Sequence, residues 1–102
     1  MSRKGIEFTI ESEKSLNYEE FNKNSELINQ LQRLVDEVGY GAQIGFTDDD
    51  ILRCCGKIVS YTKKECEAEY TIFKEKYRRI LEKHYGKIKL IDRMKLYFTT
   101  FN

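Results

Sequence analysis

The strongest constraint on this chain is that it nearly repeats itself at a spacing of 45 residues. Asn17 and Thr62 each stand where a helix N-cap belongs, Glu20 and Glu65 follow three residues later, and Tyr40-Gly41 returns as Tyr85-Gly86 after a long amphipathic run. The match also holds at Ser15/Ser60, Arg33/Arg78 and Glu37/Glu82. Apolar character is kept at Leu27/Ile72, Ile28/Phe73, Val35/Ile80 and Phe46/Ile91. The phase of the caps carries more than the letters, because a cap fixes where a helix begins. Two copies of one supersecondary unit are expected, which constrains architecture strongly and chemistry hardly at all.

Each copy reads as strand, helix, strand. Ile6, Phe8 and Ile10 alternate with Glu7, Thr9 and Glu11, the period of a strand with one buried face. Asn17 then caps a helix, with Glu20 at N3 and Leu16 placed to staple onto Phe21. Phe21, Leu27, Ile28, Leu31, Leu34, Val35 and Val38 form one helical stripe, which Gly39 or Gly41 closes. Ala42, Ile44 and Phe46 alternate as a short strand. Thr47-Asp48-Asp49-Asp50 gathers a capping hydroxyl and carboxylates where free amides would point. A one- to two-turn helix is therefore expected at 48–55, a break at Gly56 and a short strand at 57–61. In the second copy Thr62 and Glu65 repeat the cap grammar, and Cys66, Tyr70, Phe73, Tyr77, Ile80, Leu81 and His84 trace a stripe. Ile88, Leu90, Met94, Leu96 and Phe98 then keep one parity, as one long bent strand or as a hairpin turning at Asp92-Arg93.

This order predicts an α+β, ferredoxin-like fold: duplicated β-α-β units forming a four-stranded antiparallel sheet with two long helices on one face. The 102 residues suffice for a single domain. Its two pseudo-repeats span about 5–47 and 57–102, joined by a short helical linker at 48–56. In that topology the last strand lies beside the first, so Glu7 and Glu11 would stand across from Lys87, Lys89 or Lys95.

Charge is divided unevenly along the chain. Residues 1–51 carry five Lys/Arg against eleven Asp/Glu, and residues 52–102 carry thirteen against six. The two halves either complement one another inside the fold or leave a basic surface for an acidic partner or nucleic acid. The three cysteines make no even framework, and Cys54 and Cys55 are adjacent, so free thiols are expected. With no long apolar run and no secretory pattern at Met1-Ser2-Arg3-Lys4, a cytoplasmic location without membrane contact is expected. The absence of Pro and Trp beside abundant Lys, Glu, Ile, Asn and Tyr points to an AT-rich genome, as of a virus or mobile element.

Catalysis has little to stand on. The one histidine, His84, lies on a helical stripe, and no nucleophile elbow, paired-histidine zinc motif or phosphate-cradling loop is present. No enzyme and no cofactor are expected. Cys54, Cys55, Cys66 and His84 lack the tight Cys-x2–4-Cys knuckle of a zinc site, and Asp48-Asp49-Asp50 lacks the spacing of a calcium loop, so no metal is expected either. Two binding readings remain. The first is a protein-interaction module that takes a partner or peptide at the seam of the two units or at a sheet edge, through Tyr70, Tyr77, Lys95, Tyr97 and Phe101. The long final strand could add an extended peptide or pair with a second copy in a symmetric dimer. The second is nucleic-acid binding, with Lys87, Lys89, Arg93 and Lys95 for phosphates and Tyr97 for bases. The aromatic signature of an RNA-recognition strand fails after three positions at Gly39-Tyr40-Gly41-Ala42-Gln43.

Overall fold

Period-two alternation and cap chemistry between them account for most of the architecture. The structure, a computed structural model, describes residues 2–38 and 42–100, with side chains described for 4–38 and 42–95. Along the chain run β1 (Ser2–Ser12), α1 (Tyr18–Lys23), α2 (Ser25–Val38), β2 (Gln43–Phe46), β3 (Leu52–Ser60), α3 (Lys63–Tyr85) and β4 (Leu90–Thr100). The strands form one sheet in the order β2-β3-β1-β4, each neighbouring pair antiparallel. This is the ferredoxin-like arrangement, with the last strand beside the first.

β1 is the organising strand. Ile6, Phe8 and Ile10 are buried beneath the helices and their odd-numbered neighbours face the open side. Leu52, Cys54 and Ile58 of β3, Leu27, Leu31 and Leu34 of α2, and Cys66, Tyr70, Phe73, Tyr77 and Leu81 of α3 complete a single core. The Phe8 ring sits 5.3 Å from that of Tyr70 and 5.1 Å from that of Phe73. β4 is one unbroken strand, in register with β1 from Ser2↔Thr100 to Ser12↔Leu90, so no hairpin turns at Asp92-Arg93. Among the described residues no helix is long and apolar enough to cross a membrane.

Both predicted caps form. The Asn17 side chain accepts the Glu20 N–H at 3.0 Å, and the Thr62 hydroxyl accepts the Glu65 N–H at 3.1 Å. The Glu65 carboxylate takes the Ser60 hydroxyl at 2.6 Å. Gly86, with φ at 75°, ends α3 in a conformation that favours glycine, and its N–H returns to the Glu82 carbonyl. The predicted stop at Gly39 or Gly41 lies outside the described residues.

Two expectations need correcting. The first long helix is broken at Asn24, where the backbone leaves the helical region (φ −91°, ψ 83°). Asn24 closes α1 through its N–H to the Phe21 carbonyl and opens α2 by accepting the Leu27 N–H on its side chain at 3.1 Å. A residue that supplies both terminal bonds costs the chain little at the break. The helical linker at 48–56 is also absent, because Leu52–Ser60 is strand and residues 47–51 turn the β2–β3 hairpin. There the Thr47 hydroxyl accepts the N–H groups of Asp49 and Ile51, and Asp50 adopts a left-handed φ of 60°.

Candidate functional site

The open side of the sheet and the free edge of β4 share one set of residues. In register across the sheet, Glu7 of β1 lies between Lys57 of β3 and Lys95 of β4. Thr9 likewise lies between Cys55 and Arg93, and Glu11 between Arg53 and Ile91. The β3 cations are taken up by the β1 acids: Arg53 Nη2 stands 3.1 Å from Glu11 Oε2, and Lys57 Nζ 3.6 Å from Glu7 Oε1. The β4 cations are not, since among the described residues neither Arg93 nor Lys95 has an ion-pair partner. A shallow hollow of about 630 Å³ lies between the two cation rows, over Thr9 and Cys55.

β4 is an edge along its whole length, about 36 Å at the usual rise per residue. The opposite edge, β2, has four residues. On the side facing the helices, β4 places Asp92 opposite Ile10 and Met94 opposite Phe8. Lys74 Nζ and the Tyr70 hydroxyl, one turn apart on α3, each donate to Asp92 at 2.7 Å. The Lys74 ammonium holds Asp92 below the usual carboxylate range against the opposing effect of partial burial, and Tyr70 adds to it. Burial, followed by the bond to Asp92, pushes the Tyr70 hydroxyl upward. This latch is where α3 reaches β4. Beyond it Met94 stays 52% exposed, so a groove of about 460 Å³ between α3 and β4 ends on an uncovered apolar side chain.

The predicted site residues separate in space. Tyr70 and Tyr77 are corrected from surface to core, at 4% and 0% exposed, because their stripe on α3 is the face laid against β1 and β3. Arg93 and Lys95 do come together, at the outer edge of the open face. Lys87 is exposed between α3 and β4, and Lys89 pairs with Glu13 at 3.1 Å. Tyr97 takes the register position opposite Gly5, but its side chain lies outside the described ones, as does Phe101 altogether. Of the predicted cross-strand pairs only Glu7 with Lys95 falls in register, Glu11 facing Ile91 instead. Sequence reasoning missed Met94 as a surface group, since its parity with Leu90 and Leu96 marks it as core and only the reach of α3 leaves it bare.

Two of the thiols and the histidine are taken up structurally, while Cys55 is half-buried on the open side. Cys54 and Cys55 point to opposite faces of β3, and burial, with a smaller effect from Cys55, pushes the Cys54 thiol up to about 12. Cys66 donates to the Lys4 carbonyl at 3.3 Å. His84 joins two helices, with Asn24 Nδ2 at 3.2 Å from its Nδ1 and Gln30 Oε1 at 3.1 Å from its Nε2. An Nε2–H tautomer completes both bonds.

No protein-family model and no curated protein match the chain. A solved structure does: a de novo designed protein with a ferredoxin fold, determined by solution NMR, is 21% identical, with a TM-score of 0.52 over 93% of this chain and 86% of that one. The likeness shows the fold, and it agrees with the strand order read from the sheet itself.

Proposed function

We propose that this protein is a non-enzymatic interaction module that takes up an extended segment of a partner protein along β4. The observation that carries the reading is the contrast between the sheet's two edges: β4 offers eleven residues with one side unpaired, and β2 offers four. Exposed edges recruit further strands, and a long one supplies more backbone hydrogen bonds than a short one. The α3–β4 latch holds the edge in place, which lowers the ordering cost of binding. The burial of Cys54 and the engaged ring of His84 fit a role without catalysis. We read the two halves as copies of one unit, on the equivalence of the Asn17 and Thr62 caps.

A photocrosslinker tests the reading. Benzoylphenylalanine is placed at Ile91 on the β4 edge or at Gln43 on the β2 edge, and a displayed library of extended peptides is selected against each protein. Capture at Ile91 and not at Gln43 is expected. Capture only at Gln43, or at neither, contradicts the reading. Nucleic-acid binding is the second reading, favoured by Arg93 and Lys95 on the open face, which have no ion-pair partner among the described residues. Steeply salt-dependent binding of a single-stranded oligonucleotide would support it.

A further inference from the structure

We infer that the segment β4 accepts is acidic and apolar in alternation, with two carboxylates two residues apart facing Arg93 and Lys95 and an apolar side chain between them facing Met94. This rests on the strand-addition reading and narrows it to one class of partner. The chain already shows the chemistry on the other side of the same strand. There β1 sets Glu7 opposite Lys95, Phe8 opposite Met94 and Thr9 opposite Arg93, so β4 is built to lie beside an acid, an apolar residue and a small polar one in succession. Glu7, however, bonds to Lys57, and Thr9 carries no charge. Arg93 thus has no acid across from it and Lys95 shares Glu7 with Lys57, and both stand at the rim next to an edge with free backbone groups. A strand laid along that edge places its own residues directly opposite them, at the distance where opposite charges attract and like charges repel. On the helix side the uncovered part of Met94 asks for apolar contact.

A second copy of this chain fits poorly in the registers centred on the cations themselves or on Met94 between them. Two β4 strands laid antiparallel and centred at Met94 put Arg93 opposite Lys95, and a centre at either cation sets it against itself. Charged residues on edges are the usual device against such self-pairing.

The test uses the whole chain and two labelled peptides that differ only in sign, acetyl-Ser-Ile-Glu-Val-Glu-Ile-Ser-amide and its counterpart with Lys for Glu. Fluorescence anisotropy at low salt is expected to show the acidic peptide binding at least about tenfold tighter, with the preference falling as salt rises. Arg93→Gln/Lys95→Gln should abolish the preference, and Arg93→Glu/Lys95→Glu should reverse it. The first variant guards against unfolding, since a glutamate at 95 would also face Glu7. Equal binding of both peptides, with crosslinking at Ile91 intact, overturns the acidic class and leaves strand addition standing. Absence of any crosslink at Ile91 overturns both. A single-stranded oligonucleotide that binds where neither peptide does, or a sedimenting dimer that the glutamine variant disperses, likewise overturns the inference.

Discussion

Tyr70 and Tyr77 sit two turns apart on the same buried face of α3, yet their hydroxyls have opposite fates. That of Tyr70 donates to Asp92, whereas that of Tyr77 is buried with no partner among the described residues, beside the stacked ring of Phe73. An orphaned buried hydroxyl costs about 1–3 kcal/mol, and a hydrogen bond to a charged group contributes about 1.5–3 kcal/mol. Tyr77→Phe should therefore leave stability unchanged or raise it, while Tyr70→Phe should lower it by about 1–2 kcal/mol; urea unfolding of the two variants measures both. Asp92 gives the pair a pH signature. Its carboxyl is depressed in the folded state from an ordinary value of 3.8, so the stability it contributes is present above that pH and is lost as pH falls through the lower folded value. The stability difference between the wild type and Asp92→Asn should be constant near neutrality and shrink below about pH 4. A difference that instead grew on acidification would contradict the latch.

Among the elements, α2 depends on a residue that no helical stripe reveals. Asn24 caps α2, closes α1 and reaches His84, and α2 carries the buried Leu27, Leu31, Leu34 and Val35, whereas α1 has no buried residue. Asn24→Ala should cost about 1–2 kcal/mol and more than Asn17→Ala, as chemical denaturation of each would show. The alternation in β1 and the stripe and caps of α3 were legible because each pattern is long and has one period. The Asn24 break was not, because Phe21 and Leu27 to Val38 stay in helical phase across it. The first half of β3 was hidden for a different reason, while the strand expected at 57–61 matches its second half. Ile51, Leu52, Cys55, Ile58 and Val59 also satisfy helical spacing, while the residues that declare the strand, Arg53 and Lys57, are polar in either reading. Gly56 reads as a break in the sequence but is a close approach in the fold: a Cβ there would meet the Ala42 Cα at 2.8 Å and the Phe8 ring at 3.2 Å. Gly56→Ala should destabilise by about 1–3 kcal/mol, since backbone must move to admit it; an unchanged unfolding midpoint would place Ala42 elsewhere.

For the whole molecule, the unequal charge of the two halves is settled in part inside the fold. Glu7, Glu11, Glu13, Glu26 and Glu37 of the acidic half each meet a cation of the basic half, at Lys57, Arg53, Lys89, Lys83 and Lys76. These exposed pairs each contribute little to stability, at about 0–1 kcal/mol, and their main effect here is to leave Arg93 and Lys95, among the described residues, as the cations of the open face without an ion-pair partner. The sequence placed Arg93 and Lys95 among four candidate cations but gave no means of setting them apart from Lys89, whose pairing with Glu13 only the fold supplies. Arg93 and Lys95 lie on a strand that runs along most of a molecule 45 Å in its longest extent. Amide hydrogen exchange of the whole chain, with and without saturating acidic peptide, tests the account most directly. Slowed exchange at alternate residues of β4, with β2 unchanged, is the predicted result; protection confined to β2 or to the helices, with β4 exchanging as in the free protein, would contradict it.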